Sequence, residues 1–233
     1  MRKSPLHYWH LMHDTPREDT PAMKFGRAVH AAILEPEKYA SDFVTFWGDR
    51  RTKAGKEEYQ ALIDSGKEII SIDDAETVLG MVDALPHRVF EMISMADKEK
   101  ALLWTDPESG VECKGRLDAV RNGLVIDYKT TTDASTDAFS REAMRYGYDL
   151  QAAMYQTAAE LNGYGKCDFV FIAQEKSAPF AVNIIRASDG FIDRGLWIMR
   201  DLLKKWKECN ESGEWPGYGE NELIIPEWAV MDE

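Results

Sequence analysis

The chain has 233 residues, of which 44% are hydrophobic and 30% charged, and its 28 Lys and Arg are outnumbered by 41 Asp and Glu, which gives a formal net charge of −13. This length and apolar content predict a single domain over residues 1–210, followed by an acidic segment with Gly, Pro and Trp over residues 211–233. The longest apolar runs fall far short of the roughly 20 residues of a membrane-spanning helix, and the N-terminus lacks a signal-peptide pattern. The cysteines are too few and too widely spaced for a disulfide framework or a four-cysteine cluster. A cytoplasmic protein that contacts no membrane is therefore expected.

The acidic charge is unevenly distributed along the chain. Seven Asp and Glu, and no Lys or Arg, occur between residues 211 and 233. Because Lys and Arg drive nucleic-acid binding by displacing counterions, a net charge of −13 argues against indiscriminate binding to a polyanion. Any contact with nucleic acid is therefore expected to depend on positive charge that is concentrated locally.

The first half of the chain has the periodicity of helices. Ser4-Pro5 starts a short helix that ends at a break between Pro16 and Pro21. A second helix starts at Thr20-Pro21 and ends before Pro36. Further helices are predicted over 57–65, after an exposed basic loop at 49–56, and over 74–85, capped by Asp73 or Asp74, with a helical segment that resumes towards residue 93.

From about residue 102 the periodicity changes to that of strands. The first three predicted strands are antiparallel and joined by turns. The predicted order is strands 102–105, 111–120 and 124–130, a polar connection, a helix over 148–161, strands 168–174 and 180–186, and a helix over 189–209. The pattern is that of an α/β protein of the mixed α+β kind.

The strongest local signal is Asn122-Gly123, because a type I′ hairpin turn requires positive φ at both central residues. If these two residues form the loop, Asp118 lies opposite Asp127 and Arg116 lies opposite Lys129. Since side chains alternate along a strand, the hairpin then has one ionic and one largely apolar face. The ionic face would carry Glu112, Lys114, Arg116, Asp118, Asp127 and Lys129, and the apolar face Cys113, Leu117, Ala119, Leu124, Ile126 and Tyr128.

The ionic face suggests a metal site. Two carboxylates placed about 5 Å apart on neighbouring strands repel each other unless a cation lies between them. Carboxylate oxygens suit a hard ion such as Mg²⁺ or Mn²⁺. Lys129 would stand beside this site, where an ammonium can orient a water or stabilise developing charge, and this outlines a phosphodiester hydrolysis site. The alternative is a solvated, salt-bridged sheet face, which is the commoner fate of charged strand residues.

Three motifs, in this order, resemble a known enzyme family. Gly115-Arg-Leu-Asp118 followed by Val125-Ile-Asp-Tyr-Lys-Thr-Thr131 resembles the PD-(D/E)xK nuclease signature of the phage- and prophage-type RecE-like (exonuclease VIII) and lambda-exonuclease group. Gly26-Arg-Ala-Val-His30 is similar to the upstream Gly-x-x-x-His motif of the RecE-like and RecB-like branches, and Gln151-Ala-Ala-Met-Tyr155 to their downstream Gln-x-x-x-Tyr helix. RecB-like relatives with an iron–sulfur cluster use four cysteines, so that branch is disfavoured for this chain.

The resemblance implies a restriction-endonuclease-like core, a central mixed β-sheet flanked by helices, and a role for each motif residue. His30, Asp118, Asp127 and the backbone carbonyl of Tyr128 would hold one or two Mg²⁺ ions, for which Mn²⁺ can substitute. Asp118, Asp127 and Lys129 would be catalytic, with Lys129 positioning the attacking water. Gln151 and Tyr155 would line the site next to the scissile strand.

The resemblance also implies an activity. The chain would be an exodeoxyribonuclease that degrades one strand of linear double-stranded DNA from its end, 5′→3′, and leaves 3′ single-stranded overhangs for annealing in recombination and repair. The implied partners are DNA ends, further copies of the chain in a ring-shaped trimer or tetramer, and a single-strand annealing protein. Two alternatives stay open, an endonuclease or single-strand-specific nuclease of the same fold, and a catalytically silent DNA-binding subunit.

Basic residues near these motifs are candidate DNA contacts. Arg27 is close to His30 in sequence, and Arg50, Arg51 and Lys53 belong to the basic loop. Arg116, predicted opposite Lys129, is the candidate for neutralising the scissile or terminal phosphate. Surface charge runs are usually just solvated, which is the alternative for the basic loop.

Overall fold

The computed structural model describes residues 1–13 and 19–225. Pro16, and with it part of the predicted break, and residues 226–233 of the acidic segment lie outside the described residues. The helices are α1 (Pro5–His13), α2 (Pro21–Leu34), α3 (Pro36–Asp42), α4 (Lys53–Asp64), α5 (Ile72–Asp83), α6 (His87–Ser94), α7 (Thr136–Tyr146), α8 (Tyr148–Ala159), which continues into a wider turn at Glu160–Tyr164, and α9 (Asp189–Ser212). The strands are β1 (Phe43–Thr45), β2 (Glu68–Ile70), β3 (Asp97–Thr105), β4 (Glu112–Arg121), β5 (Leu124–Thr131), β6 (Asp168–Glu175) and β7 (Val182–Arg186).

The main sheet has the strand order β3-β4-β5-β6-β7. β5 and β6 run parallel, joined through α7 and α8, whereas the other neighbouring strands are antiparallel. Buried residues of α2, α5 and α6 pack on one face of this sheet, and those of α8 and the start of α9 pack on the other. The predicted mixed α/β fold, with a central sheet flanked by helices, is confirmed.

Several helices start after a side-chain cap, and two of these starts differ from the prediction. Thr20 caps α2 as predicted, its hydroxyl accepting a hydrogen bond from the N–H of Met23. α5 is capped by Ser71, not by Asp73 or Asp74, because the Ser71 hydroxyl accepts from the N–H of Asp74 at 3.0 Å. α4 begins at Lys53, earlier than predicted, because the Thr52 hydroxyl caps it.

Several elements were not predicted. α3 follows α2 directly. Pro36 ends α2 and is also the first residue of α3, a position at which proline is favoured. α7 occupies the stretch predicted as a polar connection, capped by Ser135 and ended by Gly147, whose φ is 75°. β1 and β2 form a separate parallel pair. β3 starts at Asp97 because its charged first residues already pair with β4.

An irregularity in the β3–β4 pair interrupts the strand alternation. Lys98 pairs with Ala119 and Lys100 with Leu117, but Glu99 between them has a φ of 48°. Leu117 and Ala119 pack into different hydrophobic clusters, although regular alternation would put them on one face. The predicted apolar face is therefore correct for Ala119, Leu124, Ile126 and Tyr128 and wrong for Cys113 and Leu117.

Contacts within the chain separate two compact units. The first unit contains the described residues of 1–17 and 200–233, and the second contains those of 18–199. In the first unit the N–H of Leu6 donates to the carbonyl of Pro216 at 3.1 Å, and the rings of Tyr8 and Trp215 stack 6.0 Å apart. All three sequence motifs belong to the second unit. No helix in the described ranges combines the length and apolar content needed to cross a membrane.

Candidate active site

The β4–β5 hairpin has the register predicted from its turn. Arg121 pairs with Leu124, and the pairing continues to Ala119 and Ile126. Gly123 has a φ of 80°, the conformation that the turn requires. Regular pairing stops at this point. The predicted pairs of Asp118 with Asp127 and of Arg116 with Lys129 are therefore not part of the hydrogen-bonded ladder.

Asp118 occupies the point where the two strands separate. Its Oδ2 accepts a hydrogen bond from the backbone N–H of Tyr128 at 2.8 Å. The Asp118 side chain on β4 thus accepts the hydrogen bond that a backbone carbonyl would accept from the Tyr128 N–H if the two strands stayed paired. The carboxylate is thereby fixed beside the strand that carries Asp127 and Lys129.

Asp127 and Lys129 form a buried ion pair on β5. The Lys129 Nζ lies 2.5 Å from the Asp127 Oδ2, and the exposed fractions of the two side chains are 16% and 0%. The Lys129 ammonium is the partner of Oδ2, whereas Oδ1 accepts a hydrogen bond from the Gln151 Nε2 at 3.2 Å. Because both side chains are largely shielded from solvent, Asp127 and Lys129 are not part of a solvated sheet face. Charges buried in this way need a partner, and each residue is the partner of the other.

The protonation of these groups is shifted by their burial. Desolvation raises the pKa of both Asp118 and Asp127 to about 6, from a usual 3.8, and the ammonium of Lys129 opposes this rise. Burial alone would lower the pKa of Lys129, but Asp127 and Asp118 outweigh it and hold that pKa above its usual value. Lys129 is therefore a cation at neutral pH, beside two carboxyls that titrate unusually close to neutrality.

Helix α2 brings His30 to the same place. Its Nδ1 lies 3.6 Å from the Asp118 Oδ2, and its ring meets the Tyr128 ring edge-on, with 5.3 Å between centroids. Desolvation, followed by the charge of Lys129, lowers the pKa of His30. The imidazole is consequently neutral at pH 7, which is the form that binds metal ions.

Glu99 is a further ligand group, and sequence analysis did not find it. His30, Glu99 and Asp118 each offer a ligand atom, and these atoms lie within 4.8 Å of one another. Glu99 reaches this position from the irregular point of β3. In the sequence it belongs to the charged run Asp97-Lys-Glu-Lys100, which suggests a solvated surface, and only the pairing of β3 with β4 brings it to Asp118.

A known protein family matches almost the whole chain. A family described as a PDDEXK-like domain of unknown function (DUF3799) matches residues 1–225. The chain belongs to this family. The predicted relationship to the PD-(D/E)xK nucleases is thereby confirmed. None of the curated proteins compared with the chain matches it.

A solved structure also shares this fold. A crystal structure of a protein from Eubacterium rectale, described as a candidate exonuclease, has a TM-score of 0.65 and 14% identity, over 96% of this chain and 83% of that chain. At this identity the similarity concerns the fold alone. A second structure, SSO0001, is 15% identical over 78% of this chain and 85% of that chain, but its TM-score of 0.32 is too low to support a common fold.

Gln151 and Tyr155 of α8 both contact the strands of the PDDEXK-like core. Gln151 hydrogen-bonds to Asp127, whereas the Tyr155 ring packs on Gly115. A Cβ at Gly115 would lie 3.1 Å from a ring carbon of Tyr155, so the missing side chain makes room for the ring. Gln151 thus contacts Asp127 and Tyr155 contacts β4 at Gly115, and the role of both residues beside the scissile strand stays a prediction.

The cations predicted to contact DNA already have partners in the PDDEXK-like core. The Arg116 Nε lies 2.8 Å from a carboxylate oxygen of Glu99. The remaining contacts are Arg27 with Asp19 at 2.9 Å and Glu68 at 2.8 Å, Arg51 with Asp49 at 2.9 Å, Lys53 with Glu57 at 3.8 Å, and Arg50 over the Tyr59 ring at 4.1 Å. A phosphate would compete with these partners or share the cation with them, and the DNA contacts of these residues stay predictions.

The donor atoms of the site fit a hard divalent cation. Glu99 and Asp118 supply carboxylate oxygens, and His30 supplies a neutral imidazole nitrogen. Mg²⁺ and Mn²⁺ accept carboxylate oxygens, and imidazole suits transition metals. The raised pKa values of Asp118 and Asp127 also fit a cation at this site. A bound cation would favour the ionised form of both carboxyls and so offset the effect of burial.

Proposed function

We propose that this chain is a Mg²⁺-dependent exodeoxyribonuclease that degrades one strand of linear double-stranded DNA from its end, 5′→3′, and leaves 3′ single-stranded overhangs. The observation that carries the proposal is the buried Asp127–Lys129 pair beside the converging donors of His30, Glu99 and Asp118. Membership of a PDDEXK-like family supports the coarser conclusion, a nuclease. The resemblance of three motifs to the RecE-like group supports the exonuclease activity and its polarity.

The residues of the site have distinct roles in this proposal. His30, Asp118, Asp127 and the carbonyl of Tyr128 would hold Mg²⁺, with Glu99 as a further carboxylate at the same site and Mn²⁺ as a substitute. A bound ion polarises the scissile phosphate and lowers the pKa of a water. Lys129 orients the attacking water by donating a hydrogen bond and stabilises the negative charge that develops at the phosphate. Gln151 keeps the Asp127 carboxylate in place.

The proposal extends to assembly and partners. We expect a ring-shaped trimer or tetramer in the cytoplasm that acts on DNA ends and supplies a single-strand annealing protein during recombination or repair. Sedimentation equilibrium would then give three or four times the mass of the chain. A monomer under conditions that support cleavage would contradict the ring.

The test is digestion of linear duplex DNA that is labelled separately at its 5′ and 3′ ends, with Mg²⁺ or EDTA. We expect early, Mg²⁺-dependent release of the 5′ label as a mononucleotide. Lys129→Ala should reduce the rate by roughly 10²–10³-fold, the range for loss of one positioned donor that stabilises developing charge. Lys205→Ala is the matched control, since it removes an exposed lysine that is paired with Asp201 at 2.6 Å.

Each contrary result indicates a specific alternative. Early release of the 3′ label would reverse the polarity, and cleavage of a circular duplex would indicate an endonuclease. Cleavage of single strands only would indicate a single-strand-specific nuclease. If the folded wild-type protein cleaved none of these substrates with Mg²⁺ or Mn²⁺, the proposal would fail and a silent DNA-binding subunit would remain.

A further inference from the structure

A groove begins where β5 runs past Lys129. It has a volume of about 660 Å³, within the roughly 300–1,000 Å³ typical of ligand sites. Its walls come from the start of α2, from the end of β5, from α7, from the start of α8 and from the turn after β6. The lining residues used below are Thr131, Arg141, Glu142, Arg145, Tyr146, Tyr148 and Lys176.

The charge of this groove differs from that of the chain as a whole. Arg141, Arg145 and Lys176 are exposed, and within residues 1–13 and 19–225 none of them has an ion-pair partner. The lining carboxylate, Glu142, accepts a hydrogen bond from the hydroxyl of Thr131 at 2.9 Å. The lining therefore has three cations and one carboxylate, in a chain whose net charge is −13. A second carboxylate, that of Asp133, accepts a hydrogen bond from the N–H of Ser135 and is close enough to Arg141 to interact with its charge.

Aromatic rings continue from the catalytic lysine into the groove. The Lys129 Nζ lies 5.0 Å from the centroid of the Tyr148 ring, and this ring stacks on that of Tyr146 with 5.9 Å between centroids and 28° between planes. The Arg145 guanidinium lies 5.6 Å from the Tyr146 ring, and Tyr146 is 59% exposed. Exposed rings beside free cations are the combination that binds unpaired nucleic-acid strands, through base stacking and phosphate contacts.

We propose that this groove binds one unpaired DNA strand next to the catalytic site, with a base stacked on Tyr146 and phosphates neutralised by Arg141, Arg145 and Lys176. This rests on the proposed nuclease function and deepens it by naming the form of the substrate at the site. A duplex hides the faces of its bases, so only a separated strand can use the Tyr146 ring. The strand that reaches Lys129 is consequently unpaired along the groove.

The first experiment measures binding without cleavage. Fluorescence anisotropy of 5′-fluorescein-(dT)₁₂ is recorded in EDTA with the full-length wild type, Tyr146→Ala and Tyr146→Phe. Loss of a stacking platform should weaken binding by about 5- to 150-fold for Tyr146→Ala, whereas Tyr146→Phe keeps the ring and should bind within about twofold of the wild type. Equal affinity of all three proteins would overturn the stacking contact.

The second experiment separates charge from stacking by varying the salt concentration. Arg145→Ala and Lys176→Ala should each reduce the slope of log affinity against log salt by about 0.7, the value for one phosphate contact on a single strand. Tyr146→Ala should leave the slope unchanged. Arg88→Ala is the matched control and should leave the salt slope unchanged. Arg88 lines a different groove together with Leu124, and Leu124 lies about 23 Å from Thr131 along β5 at the usual rise per strand residue.

Cleavage assays distinguish failure of this inference from failure of the proposed function. If the wild type degrades duplex ends but Tyr146→Ala and Lys176→Ala bind (dT)₁₂ with wild-type affinity and salt slope, the groove proposal is wrong and the nuclease stands. If no DNA is cleaved but single-strand binding still depends on Tyr146 and Lys176, the groove stands and the nuclease fails. Circular dichroism of each variant establishes that it is folded.

Discussion

At the scale of single residues, Glu99 changes the composition of the candidate metal site. The sequence motifs indicate His30, Asp118 and Asp127 as side-chain ligands. In the structure, Glu99 converges with His30 and Asp118, while Asp127 is held by Lys129 and Gln151. Glu99 could not be predicted because its position depends on pairing between strands that are distant in sequence.

We expect Glu99→Gln to weaken binding of Mg²⁺ or Mn²⁺ by about 10- to 100-fold, as is typical when a group supporting a metal site is lost. Isothermal titration of the full-length protein gives the affinity. Glu112→Gln is the control, since Glu112 is an exposed carboxylate on β4. Equal metal affinity of Glu99→Gln and the wild type would exclude Glu99 from the site.

The raised pKa values of Asp118 and Asp127 predict how stability depends on pH. Because their folded pKa of about 6 lies above the usual 3.8, the folded protein binds more protons than the unfolded chain between these values. The stabilisation from these protons is complete below about pH 4 and is lost as the pH rises through about 6. We expect Mg²⁺ to offset this loss, because it binds the ionised carboxylates.

Thermal unfolding between pH 5 and pH 8, with EDTA or Mg²⁺, measures this effect. The stability of the wild type relative to Asp118→Asn should fall between pH 5 and pH 7 in EDTA, and the shift caused by Mg²⁺ should be larger at pH 7.5 than at pH 5. A Mg²⁺ shift of the same size at both pH values would show that these carboxyls do not titrate with the metal.

At the scale of elements, local signals predicted the hairpin but not its far end. Asn122-Gly123 was sufficient for the register of the first pairs, because a two-residue turn determines which residues face each other. The departure at Asp118 coincides with the left-handed residue Glu99 on the neighbouring strand β3, which no pattern in β4 or β5 reveals. α7 was missed although Ser135 and Gly147 bracket it as caps, because its exposed, polar sequence is also typical of a loop.

The packing of α9 on α8 gives a test of how helix position supports the site. A Cβ at Gly195 of α9 would lie 2.0 Å from the backbone oxygen of Asp149 on α8, so Gly195→Ala must displace one helix. We expect a destabilisation of about 1–3 kcal/mol, together with slower cleavage, because α8 carries Gln151. Gly190→Ala in the same helix meets nothing within 4 Å and should be neutral or stabilising by up to about 1 kcal/mol.

Urea denaturation of both variants measures this difference. Two equally stable variants would show that the helices can separate without cost. A destabilised Gly195→Ala that cleaves at the wild-type rate would show that Gln151 tolerates a shift of α8.

At the scale of the whole molecule, the net charge of −13 must be reconciled with a polyanionic substrate. Glu99, Asp118 and Asp127 add negative charge where the scissile phosphate would lie. Binding of DNA and of a divalent cation should therefore be coupled, each increasing the affinity for the other. The coupling is expected because the acidic charge of the chain opposes DNA away from local groups of cations such as Arg141, Arg145 and Lys176.

We expect Ca²⁺, at constant ionic strength, to raise the affinity for a blunt 30-base-pair duplex by about 5- to 150-fold, the usual range of coupling between two sites. Anisotropy of the labelled duplex measures the affinity, with sizing of the DNA afterwards to establish that it is intact. Asp118→Asn should reduce the increase. An equal increase in that variant would assign the effect to ions elsewhere on the surface.

The left-handed backbone of Glu99 also has a consequence for how such a chain would change over evolutionary time. A side chain in this conformation costs roughly 1–2 kcal/mol, which Gly would recover at once. Loss of either Asp127 or Lys129 would instead leave a buried charge unpaired, at about 3–5 kcal/mol. A lineage released from selection for cleavage would thus drift first at position 99 and retain the Asp-x-Lys pair, so an intact pair in a related chain is not by itself a sign of an active enzyme.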